Sequence, residues 1–428
     1  MRNSTVRAVN RLTRQWAAQN TDAERSTVTE REALAERDEA AERGTLADRT
    51  PAAEQGTVFT AAGVWPLLAL LADGADGAAR EELAQALGIP AGSAAEAARE
   101  LLAALAGVRG LQCATGLWTR EELPLEERWS AQLPPGTRGG LTGDADTDRK
   151  ALDAWASDRT GGLIEHMPLP VTEDTLLVLA SALALRLRWI QPFDECRDTT
   201  GQGPWAGREL PVLRRETTLL DRVSVARGPR GPVTVLEVVG SAGVDVHLVL
   251  GEPEAAPGAV LATGIDAVTR ALPSTGASLL PEGEAGPGLT VRSVRAETPE
   301  PRLSIRTVAF EVRAEHDLLA HAALFGLRTA SDTSRGHFPG ISTRPLAVES
   351  ARQSALARFH ATGFEAAAVT AFAAVAGCAM PRLRYRTRRV DVRYDRPFGF
   401  LAVHRTSRLV LAAGWVREPD PVPSEDDY

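Results

Sequence analysis

Lysine is almost missing. Among 428 residues the only one is Lys150, and the other basic side chains are arginine. With its abundant alanine and glycine, the composition resembles the coding bias of a GC-rich bacterial genome and says little about activity. Cysteine is scarce too. Cys113, Cys196 and Cys378 are far apart and odd in number, which argues against a metal site or a disulfide framework. No run approaches the ~20 apolar residues of a membrane span. The opening MRNSTVRAVNRLTRQW carries Arg2, Arg7, Arg11 and Arg14 and lacks the apolar stretch of a secretory signal. A cytoplasmic protein without a membrane partner is the expectation. A net charge of -8 and a pI near 5.6 lack the basic balance of nucleic-acid binders, so nucleic acid is not an expected partner.

Enzyme signatures are absent as well. The chain has no GxSxG, HExxH, P-loop or GxGxxG. No catalytic residue, metal or cofactor is therefore expected. His316 and His321 lie five apart on what reads as one helix, which is not a metal-ligand spacing, and they read as surface residues. Cys378 has no sequence-adjacent His or acid to activate it and reads as an exposed thiol.

What is present is ample apolar material, 44% of the chain, enough for a large core. Ser4 or Thr5 is a candidate cap for a first helix with Val6, Val9, Leu12 and Trp16 on one face. Residues 20–55 are rich in Glu, Arg, Thr and Ala and read as a solvated, charged, flexible insertion. Val58 and Phe59 suggest a short strand, after which Pro66 opens a buried helix. Further helices run to about Leu87, where Gly88 and Pro90 stop the chain, and through EAARELLAALAG. LQCATGLW reads as a strand, Trp155 sits on a helix, and the apolar run Leu176 to Leu187 reads as a buried central strand. Residues 233–250 have a hairpin signature. RLSIRTVAFEVRAEHDLLAHAALFGL reads as strand and then helix. VDVRY, FGFLAV and LVLAAGWV read as three last strands before an acidic tail at 420–428. Helices fill the first third and mostly antiparallel strands the rest. Regular βαβ alternation is missing, so the expectation is one α+β domain over residues 1–419.

One stretch fits none of these elements. GFEAAAVTAFAAVAGC, residues 363–378, has small side chains, one charge at Glu365 and no amphipathic stripe. Five other segments, in order, resemble the serpin family of serine protease inhibitors. TVFTAAGVWPLLALLADGADGAAREELAQALG resembles the family's strand, apolar helix, acidic Gly turn and following helix. LDAWASDRTGGLI resembles a helix Trp followed by Thr-x-Gly-x-Ile, and LLVLASALALRLRWIQPF resembles the family's long strand. GHFPGIS resembles ADFSGIS. DRPFGFLAVHRTSRLVLAAGWVREP resembles the family's C-terminal hairpin. The resemblance implies N-terminal helices packed on large, mostly antiparallel sheets, with an exposed reactive-centre loop over residues 361–389.

In that family the loop is a bait for a serine protease. After attack its N-terminal part enters the main sheet as a new strand while the protease is held as an acyl-enzyme. Small side chains suit this role, because alternate residues must enter a packed interior yet tolerate water beforehand. Gly363, Glu365, Ala366, Ala367, Ala368 and Thr370 match the family hinge GTEAAAAT, whereas Phe364 stands where a small residue is usual. A ring there must be buried first and is expected to hinder insertion unless a pocket receives it. Ala361 and Thr362 replace the usual acids. Counting from Gly363 places the scissile bond at Gly377–Cys378, with 376–380 as the neighbourhood. Small bait residues imply a subtilisin- or elastase-like target; a bait at Arg382 or Arg384 would imply a trypsin-like one. The basic PRLRYRTRR is either a protease-facing exosite or a longer loop.

The resemblance also assigns a sheet-opening region. Trp189 matches the family Trp at the top of the insertion gap. Ser181, Thr60 and Gln353 replace the usual central Asn, Ser and His, either as a different latch or as mere packing. The implied activity is suicide-substrate inhibition by a monomer. The alternatives are a non-inhibitory binding protein of the same fold, which Phe364 favours, and an enzyme using Cys378 or His360.

Overall fold

The computed structural model describes residues 1–19, 56–199, 203–364 and 383–422. Its first helix, α1, occupies 3–19 and buries Val6, Val9, Leu12 and Trp16 as their spacing predicts. It starts before Ser4, so neither Ser4 nor Thr5 caps it. Strand β1 (Gly56–Phe59) leads into α2 (Ala61–Gly74). Thr60 is the N-cap of α2, its side chain accepting from the Gly63 N–H. Pro66 therefore lies inside α2 rather than at its start. Burial on nearly every side holds the helix despite the backbone donor that proline lacks. Helices α3 (Gly77–Leu87), closed by left-handed Gly88, and α4 (Ala91–Ala106) follow as expected. β2 (Leu111–Arg120), α5 (Glu127–Ser130), β3 (Arg138–Leu141), α6 (Ala145–Thr160) and β4 (Leu177–Leu185) complete the first half.

The second half is mostly strand: β5 (Asp194–Thr199), β6 (Glu209–Thr217), β7 (Val223–Gly228), β8 (Gly231–Val239) and β9 (Val244–Leu250). After α7 (Pro257–Val268) come β10 (Ser274–Gly276), β11 (Gly283–Gly286), β12 (Leu289–Ala296), β13 (Arg302–Val308) and β14 (Phe310–Asp317). α8 (Ala322–Phe325), β15 (Ser350–Phe359), β16 (Tyr385–Arg393), β17 (Phe398–His404) and β18 (Val410–Val416) close the chain.

Among the described residues the strands form three sheets. A seven-stranded one runs β1-β18-β17-β9-β8-β7-β10, a six-stranded one β11-β12-β16-β13-β6-β5, and a five-stranded one β14-β15-β4-β2-β3. Pairing is antiparallel except at β13/β16, β15/β4 and β2/β3. The continuous apolar run makes β4 buried along its whole length in the middle of the five-stranded sheet. α2 packs closely behind it. A Cβ on Gly63 would lie 2.5 Å from the Ser181 Oγ, so only glycine permits that approach. Helices packed on large, mostly antiparallel sheets are the α+β architecture expected.

Four further expectations change. The chain 302–325 is two strands and a four-residue helix, not one strand and one helix. His316 is therefore a buried strand residue, since Phe310, Val312, Ala314 and His316 share one face by two-residue alternation. The exposed loop ends before Tyr385 rather than at 389, because β16 is paired on both sides, to β12 and β13. Asp420 belongs to no free tail. Its backbone N–H donates to the Ala309 carbonyl, and its carboxylate accepts from the Glu311 N–H at 2.6 Å. The charged insertion 20–55 and the tail 423–428 lie outside the described residues.

Candidate functional site: the seam of the central sheet

Strands β15 and β4 lie side by side in parallel, in register from Ser350↔Val178 to Ala355↔Leu183. Above that point they part. Ala184 and Leu185 still pair with β2, at Gln112 and Leu111, while Leu356–Phe359 have no register with β4. Residues 361–364, which include the start of the expected hinge, close the top of this wedge. The Phe364 N–H donates to the Leu187 carbonyl at 2.7 Å and Gly363 bridges to Arg188. The Trp189 N–H donates to the Thr362 carbonyl at 3.0 Å and the Phe193 N–H to Ala361 at 2.8 Å. A Cβ on Gly363 would stand 2.1 Å from the Leu187 carbonyl oxygen, so glycine is what lets the hinge dock there.

An aromatic socket lies beneath the hinge. Trp189 is buried and donates its indole N–H to the His360 carbonyl at 2.9 Å. Its ring packs on Phe359 at 4.9 Å and edge-on to Phe364 at 6.5 Å. Phe364 also meets Phe400 at 6.3 Å and is only 2% exposed. Phe193 packs on Phe359 at 5.8 Å, and the Arg215 guanidinium lies 4.2 Å over the Phe193 ring. Burial pulls Arg215 down to about 10, with a further push from Arg222. Trp189 is further bridged to Gly240, whose turn is held by Arg405 bonding both Asp245 and the Gly240 carbonyl. The Phe364 ring, expected to need burial first, is thus already buried in its pocket.

Halfway down the seam, Ser181, Gln353 and Thr60 come together. Gln353 and Ser181 are register partners across β15 and β4. The Thr60 N–H donates to the Gln353 Oε1 at 2.8 Å. The Gln353 amide returns bonds to the Thr60 carbonyl at 2.9 Å and to the Ser181 Oγ at 3.4 Å. Thr60 Oγ1 donates to the Leu411 carbonyl at 2.6 Å, so the group ties α2, both seam strands and β18. All three residues are fully buried, where satisfied polar bonds are strongest. His316 is the cross-strand neighbour of Gln353, its Nε2 2.8 Å from the Val58 carbonyl and its ring edge-on to Trp16. Burial lowers its pKa to about 4, against the opposing pull of the Val58 carbonyl.

Among the described residues no group of His, Cys, Asp and Glu is arranged to hold a metal, and no helix is long and apolar enough to cross a membrane. Cys113 faces the interior, where burial pushes its thiol up to about 12. His360 is held below the ordinary histidine range by burial. The remaining hinge residues Glu365, Ala366, Ala367, Ala368 and Thr370, the bait pair Gly377 and Cys378, and the alternative Arg382 lie outside the described residues. Arg384 is exposed just ahead of β16.

The arrangement matches known proteins along most of its length. The family model described as serpin (serine protease inhibitor) matches residues 45–205 and 291–419. Serpin-Z2B of Oryza sativa subsp. japonica is 26% identical over 399 residues, covering 85% of this chain and 91% of the relative. Serpin-Z2A from the same plant is 26% identical over 407 residues, covering 85% and 91%. Among solved structures, Serpin48 of the insect Tenebrio molitor superposes with a TM-score of 0.66 at 16% identity, covering 97% of this chain and 98% of the other. Human thyroxine-binding globulin in complex with its hormone gives 0.66 at 15% identity, covering 97% and 98%. With the family model spanning more than half of its residues, the chain belongs to the serpin family.

Proposed function

We propose that the protein inhibits a serine protease as a suicide substrate. The protease cuts the loop near residues 376–380, at Gly377–Cys378. The segment 363–377 then enters the five-stranded sheet between β15 and β4. The observation carrying this reading is the parallel seam itself. β15 and β4 run parallel, so a strand that turns back from the end of β15 lies antiparallel to both and pairs with each. The wedge above Ala355 and Leu183 is where such a strand would start. Insertion adds two ladders and buries apolar area, so it runs downhill from a kinetically held state. The small bait residues favour a subtilisin- or elastase-like partner, met by a monomer in the cytoplasm.

The test is incubation with subtilisin-, elastase- and trypsin-like proteases. A complex that survives SDS is expected with one of the first two. Plain cleavage without a complex by all three would sink the inhibitory reading.

Phe364 favours a second reading. Serpins include non-inhibitory members such as thyroxine-binding globulin, and a hinge pinned by a buried ring suits a static binding protein. Under that reading, loop cleavage leaves the melting temperature unchanged.

A further inference from the structure

The reactive loop is anchored at its downstream end by β16, and β16 is not an edge. On one flank it runs parallel to β13, from Arg302↔Arg389 to Arg306↔Arg393. On the other, β12 covers it in antiparallel register from Leu289↔Val392 to Ala296↔Tyr385, the whole length to the loop. β12 is one arm of a hairpin whose other arm is β11. β11 falls in the stretch 206–290 that the family model does not match.

Side chains fasten the same contact. Arg388 of β16 donates to the carbonyls of Ala277 and Leu280, on the chain entering the hairpin. Thr387 Oγ1 donates to the Glu300 carbonyl at 2.8 Å and to Pro299 at 3.1 Å, on the chain leaving it. Arg386 reaches the Ser293 Oγ at 3.0 Å, and Asp391 binds Arg292 and Arg389 together. The Arg393 N–H donates to the Gly288 carbonyl in the hairpin turn at 2.9 Å.

From this we propose that the β11–β12 hairpin is a lock on β16 that prevents the loop from entering the sheet before it is cut. The inference rests on the insertion reading above, and chain length shows why such a lock matters. Residues 365–384 join Phe364 to Tyr385, about 20 residues. A strand as long as β15 uses ten of them. The remaining ~10, fully extended at ~3.3 Å each, span no more than the inserted strand itself, with nothing left for a turn or for the step across to β16. An uncut loop can insert fully only by peeling β16 from its sheet. Without the hairpin β16 would be an edge strand with one ladder to break; with it there are two. A cut loop needs neither broken, because its inserted part is no longer joined to β16.

The test compares wild type, a variant with residues 281–298 replaced by a short Gly-Ser link, and the cross-strand pair Arg295→Cys/Arg386→Cys. Intact protein is held warm, and conversion is followed as appearance of a heat-resistant form that mass spectrometry shows to be uncut. The hairpin-less variant should convert about tenfold faster or more, and the oxidised cysteine pair should convert more slowly than its reduced form. Equal rates in all forms would overturn the lock. Should the excised variant fail to fold, the oxidised and reduced pair decides alone. Two controls separate the two readings. Hydrogen exchange at the β16 amides should be about tenfold faster without the hairpin, whatever the loop does; unchanged exchange overturns the seal. Cleaved wild type without a rise in melting temperature would instead overturn insertion itself.

Discussion

Phe364 is held by the Trp189 and Phe400 rings and by its own backbone bond to Leu187. Truncating a buried Phe removes transfer energy and leaves a cavity, ~3–5 kcal/mol for a change to alanine. Phe364→Thr should therefore lower the stability of uncut protein by about 3 kcal/mol, read by denaturant unfolding followed by circular dichroism. Because the ring occupies its pocket before cleavage, the same variant should not speed complex formation with the target protease. A tenfold gain would mean the ring must leave its socket for insertion to proceed. His316 supplies a pH signature. Burial holds its folded pKa at about 4, below the ordinary value of 6.5. The folded state thus binds fewer protons than the unfolded one between those values. Its contribution is intact above pH 6.5, declines as pH falls toward about 4, and is then flat. His316→Gln should flatten that part of the stability–pH curve; an unchanged slope would assign it to other groups, such as His247, which burial also lowers to about 4. His316 was legible in principle. Its alternation with Phe310, Val312 and Ala314 marks a strand face, but the helix-forming LLAHAALF that follows pulls the reading the wrong way.

Elements meet at the seam through Gln353, whose amide serves α2, β4 and β15 at once. Gln353→Leu keeps the volume but strands the Thr60 N–H and carbonyl, each a loss of ~1–3 kcal/mol when buried. Uncut protein should lose about 2–4 kcal/mol, while the seam parts more easily and insertion after cleavage accelerates. A variant that unfolds like wild type would reduce the cluster to packing. At the top of the seam, Gly363→Ala should expel the hinge from the Leu187 carbonyl and expose Trp189, seen as a red-shifted tryptophan emission. An unshifted spectrum would show that the hinge docks without the close approach. Elements with one dominant pattern were readable: the apolar run of β4, the β8–β9 hairpin, and α3 with Gly88. β16 was readable only at its end, in VDVRY; before that, its arginines read as loop. Their charge is answered by Asp391, by main-chain carbonyls and by Ser293, partners that sequence spacing does not reveal. β11 and β12 offer four and eight residues of mixed polarity, and only the pairing of β12 with β16 and of β11 with β12 makes them strands.

At the scale of the whole molecule, five motifs in order carried the family, because each records a packing demand rather than a catalytic group. Thr60, Ser181 and Gln353 were singled out one by one, as a latch or as packing, but their mutual bonding depends on register between strands far apart in sequence. The departure at Phe364 was visible, yet its socket is built from residues 189, 359 and 400, which no local reading joins. Cutting the loop near 376–380 is expected to raise the melting temperature markedly if the seam accepts a new strand. Calorimetry of cut and uncut protein checks this, and coincident curves would favour the binding-protein reading.

β1 pairs with β18, Gly56 against Val416, and Asn10 of α1 bonds the Arg408 carbonyl and the Val410 N–H. An early segment of the nascent chain is thus completed by one made about 350 residues later. At ~5–20 residues per second, synthesis leaves β1 without its partner for roughly 20–70 s. Through that interval β1 has no strand to pair with, although Trp16 of α1 and, later, His316 of β14 reach Phe59 and Val58. Until β18 emerges, the seven-stranded sheet stands open at the edge that β1 comes to occupy.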